Sequence, residues 1–244
     1  MDSQNISLGW AVGCRATRFP LWKRALDLGT IVILSPLLVL LGLVVSLLVR
    51  LSSPGPILFR QQRIGFKGEE FTCFKFRTMH VNAECYSHES HTTHLIRSEK
   101  PMIKLDEFND PRLVPIGSAL RATGLDELPQ LLNVLRGDMS IVGPRPCMPY
   151  EYESHEPWQR RRFDVAPGLT GLWQVSGKNR TTFTQMVKLD IEYSEHQSLW
   201  LDLKIILKTF PTLIKQCLEV RAAKRKLAAA SGQQTGKPIQ LNTL

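Results

Sequence analysis

Residues 31–49 run for 19 positions without a charge, the length at which a membrane helix becomes the default reading of an apolar stretch. A helix on the surface of a soluble core would keep a polar stripe toward water, and no face of this run is polar. A cleaved signal peptide fits poorly too. The run begins late, and Arg50-Leu51-Ser52-Ser53-Pro54-Gly55-Pro56 after it lacks a small-x-small cleavage pattern. Two details argue against a simple crossing. Pro36, preceded by Ser35, removes a backbone donor a third of the way in and is expected to bend or break the helix there, with the Ser35 hydroxyl bonding a carbonyl the proline frees. Basic residues also flank both ends: Arg15, Arg18, Lys23 and Arg24 before the run, Arg50, Arg60 and Arg63 after it. The positive-inside rule then places both ends on the cytoplasmic side, which requires a re-entrant helix. Asp27 is expected at headgroup depth beside Lys23 or Arg24.

The remaining composition narrows the partners. A net charge of +9, spread along the chain, favours an anionic partner: nucleic acid, anionic lipid or a phosphorylated small molecule. The first of these leaves the apolar run unexplained and comes with no recognisable binding motif, so no nucleic-acid partner is expected. Five widely spaced cysteines, Cys14, Cys73, Cys85, Cys147 and Cys217, form no C-x-x-C pair. They fit a reducing compartment better than a disulfide framework or a structural zinc site. His88, His91 and His94 are spaced by three, but no carboxylate or cysteine is arrayed with them, so they read as a solvated segment.

The expected fold is α+β and mostly helical, with a small β-hairpin, one re-entrant membrane helix and amphipathic interfacial helices. Residues 1–20 form an N-terminal segment, 21–53 the membrane helix, 54–220 a cytoplasmic catalytic domain, and 221–244 a basic then disordered tail. Residues 57–61 and 71–77 read as two strands around a Gly65–Gly68 turn, the second carrying Cys73, Lys75 and Arg77 on one face and Phe74 and Phe76 on the other. Short helices are expected near 118–121 and from Leu128 to Arg136, stopped by Gly137. Further helices are expected over 182–194 and 198–219; in the last, Leu199, Leu203, Ile206 and Phe210 oppose Asp202, Lys204 and Lys208. That helix suits either the core or the bilayer surface.

Chemistry concentrates between Arg121 and Pro146. Asp126 and Glu127 stand together at a helix start, between arginines. A carboxylate near a helix N-terminus stays ionised, and an ionised aspartate is a competent nucleophile toward activated phosphorus. Two adjacent carboxylates repel unless a cation neutralises them, and Mg2+ suits oxygen ligands completed by substrate phosphates. Arg145, between Pro144 and Pro146, has little freedom and suits a bidentate phosphate contact. The plainer alternative is an Asp126 N-cap followed by a favourable first-turn charge.

The chain resembles the bacterial sugar transferases, the monotopic polyprenyl-phosphate phosphoglycosyl transferases. The resemblance rests on Lys23-Arg24-x-x-Asp27 before a Ser-Pro-interrupted apolar helix, Pro54-x-Pro56-x-x-Phe59-x-Gln61-x-Arg63-x-Gly65, and Phe74-Lys75-Phe76-Arg77-Thr78-Met79. It continues with Arg121-x-Thr123-x-Leu125-Asp126-Glu127-Leu128-Pro129-Gln130, Gly137-Asp138-Met139-Ser140, Gly143-Pro144-Arg145-Pro146 and Pro167-Gly168-x-Thr170-Gly171-x-x-Gln174, covering roughly residues 21–211. It implies transfer of a sugar-1-phosphate from a UDP-sugar to undecaprenyl phosphate at the cytoplasmic face of the bacterial inner membrane, with release of UMP. It further implies Asp126 as nucleophile, Glu127 as its partner, Mg2+ held by both, and Lys75, Arg77, Arg121 and Arg145 around the phosphates. With no run of amino-terminal membrane helices before the domain, the chain looks like the short, single-domain members that start exopolysaccharide or other glycan assembly. The expected partners are the UDP-sugar, undecaprenyl phosphate and membrane lipids, and a homodimer is compatible with the sequence. Three positions depart from the family pattern: Gly124, Ala166 and Lys178, with Arg180 near the last.

Overall fold

The computed structural model describes residues 19–80, 96, 98, 101, 112–177 and 181–234, with residues 223–234 as backbone only. His88, His91 and His94, Lys178 and Arg180, and nearly all of the N-terminal segment lie outside the described residues. Among the described residues the chain is mostly helical with two small sheets, as the α+β expectation has it.

The apolar run sits in α1, Leu21–Ser52, a single helix of 32 residues. Pro36 does not break it. The Ser35 hydroxyl donates to the Val32 carbonyl at 2.8 Å, and that carbonyl is the one whose partner Pro36 removes four residues on. The local loss is repaired and the helix runs on. The start of α1 is bolted to the domain. Lys23, fully buried, donates to Asp202 at 2.5 Å and to the Tyr193 hydroxyl at 2.9 Å. Asp27 is buried within the protein, and its Oδ1 accepts from Ser140 Oγ and Ile141 N–H, each at 3.0 Å. Both motif residues therefore serve internal hydrogen bonds, because burial of a charge demands a partner. At the far end, Val45 and Val49 pack with Phe76 and Leu120. Between the two anchorages Val32, Ile33, Leu37, Val39, Leu40 and Leu43 are exposed.

Strands β1, Leu58–Ile64, and β2, Glu70–Phe76, pair antiparallel from Leu58↔Phe76 to Ile64↔Glu70, around a helical turn at Phe66–Gly68. Next come α2, Gly117–Thr123, a 3-10 helix, Leu125–Gln130, and α3, Leu131–Arg136. Gly137, at φ 81°, ends α3 as expected. Arg24 donates to the Val134 carbonyl and, at 2.7 Å, to that of Leu135, satisfying carbonyls at the end of α3. Asn133, fully buried, acts as a piece of strand beside β2. Its Oδ1 accepts from Phe74 N–H at 3.1 Å and its Nδ2 donates to the Thr72 carbonyl at 2.7 Å.

A second sheet joins two segments distant in sequence: β3, Ser140–Val142, runs parallel to β4, Gly168–Thr170. Between them lie α4, Pro149–Glu153, and a 3-10 helix, Gln159–Phe163; α5, Leu172–Val175, follows β4. Helix α6, Phe183–Glu195, starts on a Thr182–Gln185 capping box. Helix α7 spans Leu199–Gln234, extending the helix expected to stop near Glu219 through half of the expected disordered tail; Ala222, Ala223 and Ala228–Ala230 are strong helix formers. Of the two placements left open for its apolar face, packing on the core is not the one observed: Asp202 and Ile205 are buried while Trp200, Leu207, Phe210 and Ile214 are exposed. The ion pair with Lys23 draws the polar side of α7 inward.

Candidate active site

Asp126 and Glu127 occupy the 3-10 helix rather than the first turn of an α-helix. Two residues explain this. Gly124 takes φ 73°, ending α2 with its N–H on the Leu120 carbonyl and starting the next helix immediately. That left-handed conformation favours glycine over residues that carry a side chain. Pro129 then has no N–H for the Leu125 carbonyl, so an α-helical bond cannot close across the carboxylates. Gly124, not Asp126, is the N-cap, and no side chain caps the helix. The capping alternative for Asp126 therefore falls. Asp126 is largely buried and Glu127 half-buried.

A shallow cleft, open to solvent, is lined by Arg63, Lys75, Glu127, Gln130, Arg145 and Gln174 among others. Lys75 Nζ lies 3.0 Å from Glu127 Oε1. Strand β2 supplies Lys75, the 3-10 helix Glu127 and Gln130, β1 Arg63, and α5 Gln174. Arg145 comes from the loop after β3. Three glycines bring that loop against β4. A Cβ on Gly143 would sit 2.3 Å from the Ala166 carbonyl oxygen, one on Gly168 2.1 Å from Gly143 N, and one on Gly171 2.3 Å from the Gly143 carbonyl oxygen. Only backbone with no side chain fits at that approach. Ala166 is itself buried in this contact.

The expected phosphate-binding residues do not all meet. Lys75 and Arg145 line the cleft; Arg77 and Arg121 are not among its lining residues. Arg77 is buried and donates to the Ser53 carbonyl at 2.6 Å and the Pro54 carbonyl at 2.8 Å. It fastens the turn after α1, so the shared cationic face expected for Lys75 and Arg77 does not form. Arg77 continues the pairing past β2, with its N–H on the Ile57 carbonyl at 2.9 Å, but its guanidinium is taken up by the Ser53 and Pro54 carbonyls. Arg121 Nε donates to Thr78 Oγ1 at 3.0 Å. The cleft gains Arg63, Gln130 and Gln174 instead. Arg63 follows the strand alternation of β1, a signal the sequence does carry. Gln174 Nε2 donates to the Leu169 carbonyl at 3.3 Å, leaving its buried Oε1 with no hydrogen-bond partner among the described residues.

The electrostatics favour a polyanion. Burial, then the nearby Arg145 guanidinium, hold Arg63 below the ordinary arginine value, yet a guanidinium keeps its charge in proteins. Three cations therefore face one cleft. The thiols beside it are poor nucleophiles: burial raises Cys73 and pushes Cys147 up to about 12. As a donor set for Mg2+, Asp126 and Glu127 fit the share a protein usually supplies, one or two carboxylates completed by substrate phosphates and water. Among the described residues no larger cluster of metal-ligating side chains occurs.

The family model described as "Bacterial sugar transferase" matches residues 18–216. Among curated relatives, the chain is 44% identical over 161 residues to "Galactosyl transferase CpsE" of Streptococcus agalactiae, covering 66% of this chain and 35% of that protein. It is 42% identical over 200 residues to "UDP-glucose:undecaprenyl-phosphate glucose-1-phosphate transferase" of Caulobacter vibrioides, covering 79% of this chain and 69% of that protein. It is 41% identical over 183 residues to "Exopolysaccharide production protein ExoY" of Sinorhizobium fredii, covering 75% and 79%. The chain thus spans about a third of the first of these relatives and most of the other two. With the family model covering most of the sequence and relatives more than 40% identical over most of its length, the chain belongs to the bacterial sugar transferase family.

Proposed function

We propose that this protein transfers a sugar-1-phosphate from a UDP-sugar to undecaprenyl phosphate, through a phospho-sugar ester on Asp126. The observation that carries this reading is a cleft with three cations lined by Glu127, with buried Asp126 adjacent to it on the 3-10 helix though not itself in the lining, in a domain that holds a long apolar helix at both ends. The relatives' names supply the substrate class.

Asp126 attacks the phosphorus that bears the sugar. The bond from that phosphorus to the oxygen bridging the two phosphates breaks, and UMP leaves with the electron pair. An oxygen of undecaprenyl phosphate then attacks the same phosphorus, displaces Asp126 and gives undecaprenyl-diphosphate-sugar. Splitting the transfer in two keeps the two anionic substrates from occupying the cleft together and makes the kinetics ping-pong. Arg63, Lys75 and Arg145 offset charge on the phosphates, and Glu127, ion-paired to Lys75, holds that lysine in the cleft. Asp126 and Glu127 would hold Mg2+, which would supply Lewis-acid charge neutralisation to the transfer.

The membrane disposition follows from α1. The helix is about 48 Å long at 1.5 Å per residue, against a hydrocarbon core of about 30 Å. Residues at its start and near its end pack on one domain rich in charge. If α1 stood upright across the bilayer with both ends so attached, that domain would lie in hydrocarbon, which its polar surface forbids. A shallow or re-entrant insertion, with both ends and the domain on the cytoplasmic side, is the arrangement this supports.

The test is UMP release from a panel of UDP-sugars with undecaprenyl phosphate and Mg2+. Asp126→Asn is expected to lower it by at least about a hundredfold, and chelation of divalent cations to abolish it until Mg2+ is restored. No UMP with any donor would overturn the proposal, as would full activity in Asp126→Asn.

A further inference from the structure

Three consecutive carbonyls in the loop that bears Arg145 are each taken by a donor from a different place in the chain. Gly168 N–H donates to the Pro144 carbonyl at 2.9 Å, Arg162 Nη2 to the Arg145 carbonyl at 3.0 Å, and Arg63 Nη1 to the Pro146 carbonyl at 3.3 Å. Prolines at 144 and 146 fix φ on either side. The backbone at Arg145 is therefore held at every hydrogen-bonding group of its neighbours, while its side chain goes to the cleft.

Two of these donors have other work. Gly168 N–H is part of the β3–β4 contact, and Arg63 lines the cleft itself. Arg162 does neither. It is buried in the 3-10 helix Gln159–Phe163, outside the cleft lining, and its Nη2 also meets Asp190 Oδ2 of α6 at 2.5 Å. Its Nη1 lies 3.3 Å from His155 Nε2. A buried ion pair of this kind is a poor source of stability, since well-packed apolar residues usually serve as well or better. A guanidinium fork, though, can grip a carboxylate and a carbonyl together, which an apolar residue cannot.

We propose that Arg162, anchored by Asp190, is a positioning residue for Arg145. It holds the Arg145 carbonyl so that the guanidinium meets the substrate diphosphate in one fixed geometry. The inference rests on the reading of Arg145 as a phosphate ligand.

A double-mutant cycle on the full chain tests it. Arg162→Met with Asp190→Leu removes the grip without leaving a buried charge unpaired, and Arg145→Ala removes the side chain it serves. UDP affinity is measured by calorimetry for each and for their combination, with melting temperatures alongside. Both are expected to weaken UDP binding about tenfold, and the combination no further than Arg145→Ala alone. Multiplicative losses would overturn the positioning role while leaving the phosphate role of Arg145 standing. An Arg145→Ala variant that binds UDP normally would instead sink the phosphate role, and this inference with it. Arg162→Lys keeps a charge facing Asp190 without the fork and covers the case in which the apolar pair fails to fold. Its expected affinity loss is smaller and vanishes in the Arg145→Ala background; a loss that persists there overturns the proposal.

Discussion

At the scale of single residues, His155 shows how burial sets a protonation state. Arg162 can only donate, so His155 Nε2, 3.3 Å away, is the acceptor and the ring is neutral with its proton on Nδ1. Nδ1 then donates to the Glu151 carbonyl at 2.5 Å. Burial first, and then the Arg162 charge, push His155 down to about 4, with Arg160 adding and Glu151 opposing. A histidine whose folded value lies below its unfolded 6.5 stabilises the fold above pH 6.5 and loses that contribution as pH falls toward 4. The loss amounts to about 3 kcal/mol across that window. Melting temperature measured from pH 7 to pH 4 is expected to fall, and His155→Phe, placed among Tyr152, Phe163 and Phe183, is expected to flatten that slope. An unchanged slope in the variant would assign the acid sensitivity elsewhere.

At the scale of elements, the active-site loop depends on a sheet of only two short strands. Gly143→Ala would drive a methyl to 2.3 Å from the Ala166 carbonyl oxygen. The obstacle is backbone and cannot swing aside, so a cost of at least about 2 kcal/mol and loss of UMP release are expected. Gly42→Ala makes the useful contrast. A Cβ there meets nothing within 4 Å, and alanine is the better helix former by about 1 kcal/mol. Equal thermal stability and activity in the two variants would refute the account of the β3–β4 contact.

Over the whole molecule, apolar surface is distributed to one purpose. The middle of α1 and the outward side of α7 together expose Val32, Ile33, Leu37, Leu40, Trp200, Leu207 and Phe210. Exposed apolar area of that extent marks an interaction surface, and α1 is long and apolar enough for it to be a membrane. Single cysteines at Pro20 and Arg50, both exposed and flanking the apolar run, are expected to react with an impermeant maleimide from the same, cytoplasmic side in oriented vesicles. Labelling from opposite sides would rule out the re-entrant arrangement.

The sequence alone determined the elements whose cause is local. A charge-free run of membrane length, strands around a glycine turn and a helix closed by Gly137 are legible because propensity and periodicity act on neighbours. The Asp126–Glu127 pair stood out for the same reason, as did the repair of Val32 by Ser35. What only the tertiary structure decided is where charged side chains go, since a partner distant in sequence sets that. Lys23, Asp27 and Asp202 looked like surface or headgroup residues and are buried because each meets its partner in another element. Arg77 looked like a phosphate ligand and fastens the end of α1. Arg162 carried no signal in its own neighbourhood, and its contact with the Arg145 carbonyl exists only once residues 17 positions apart are brought together by the fold.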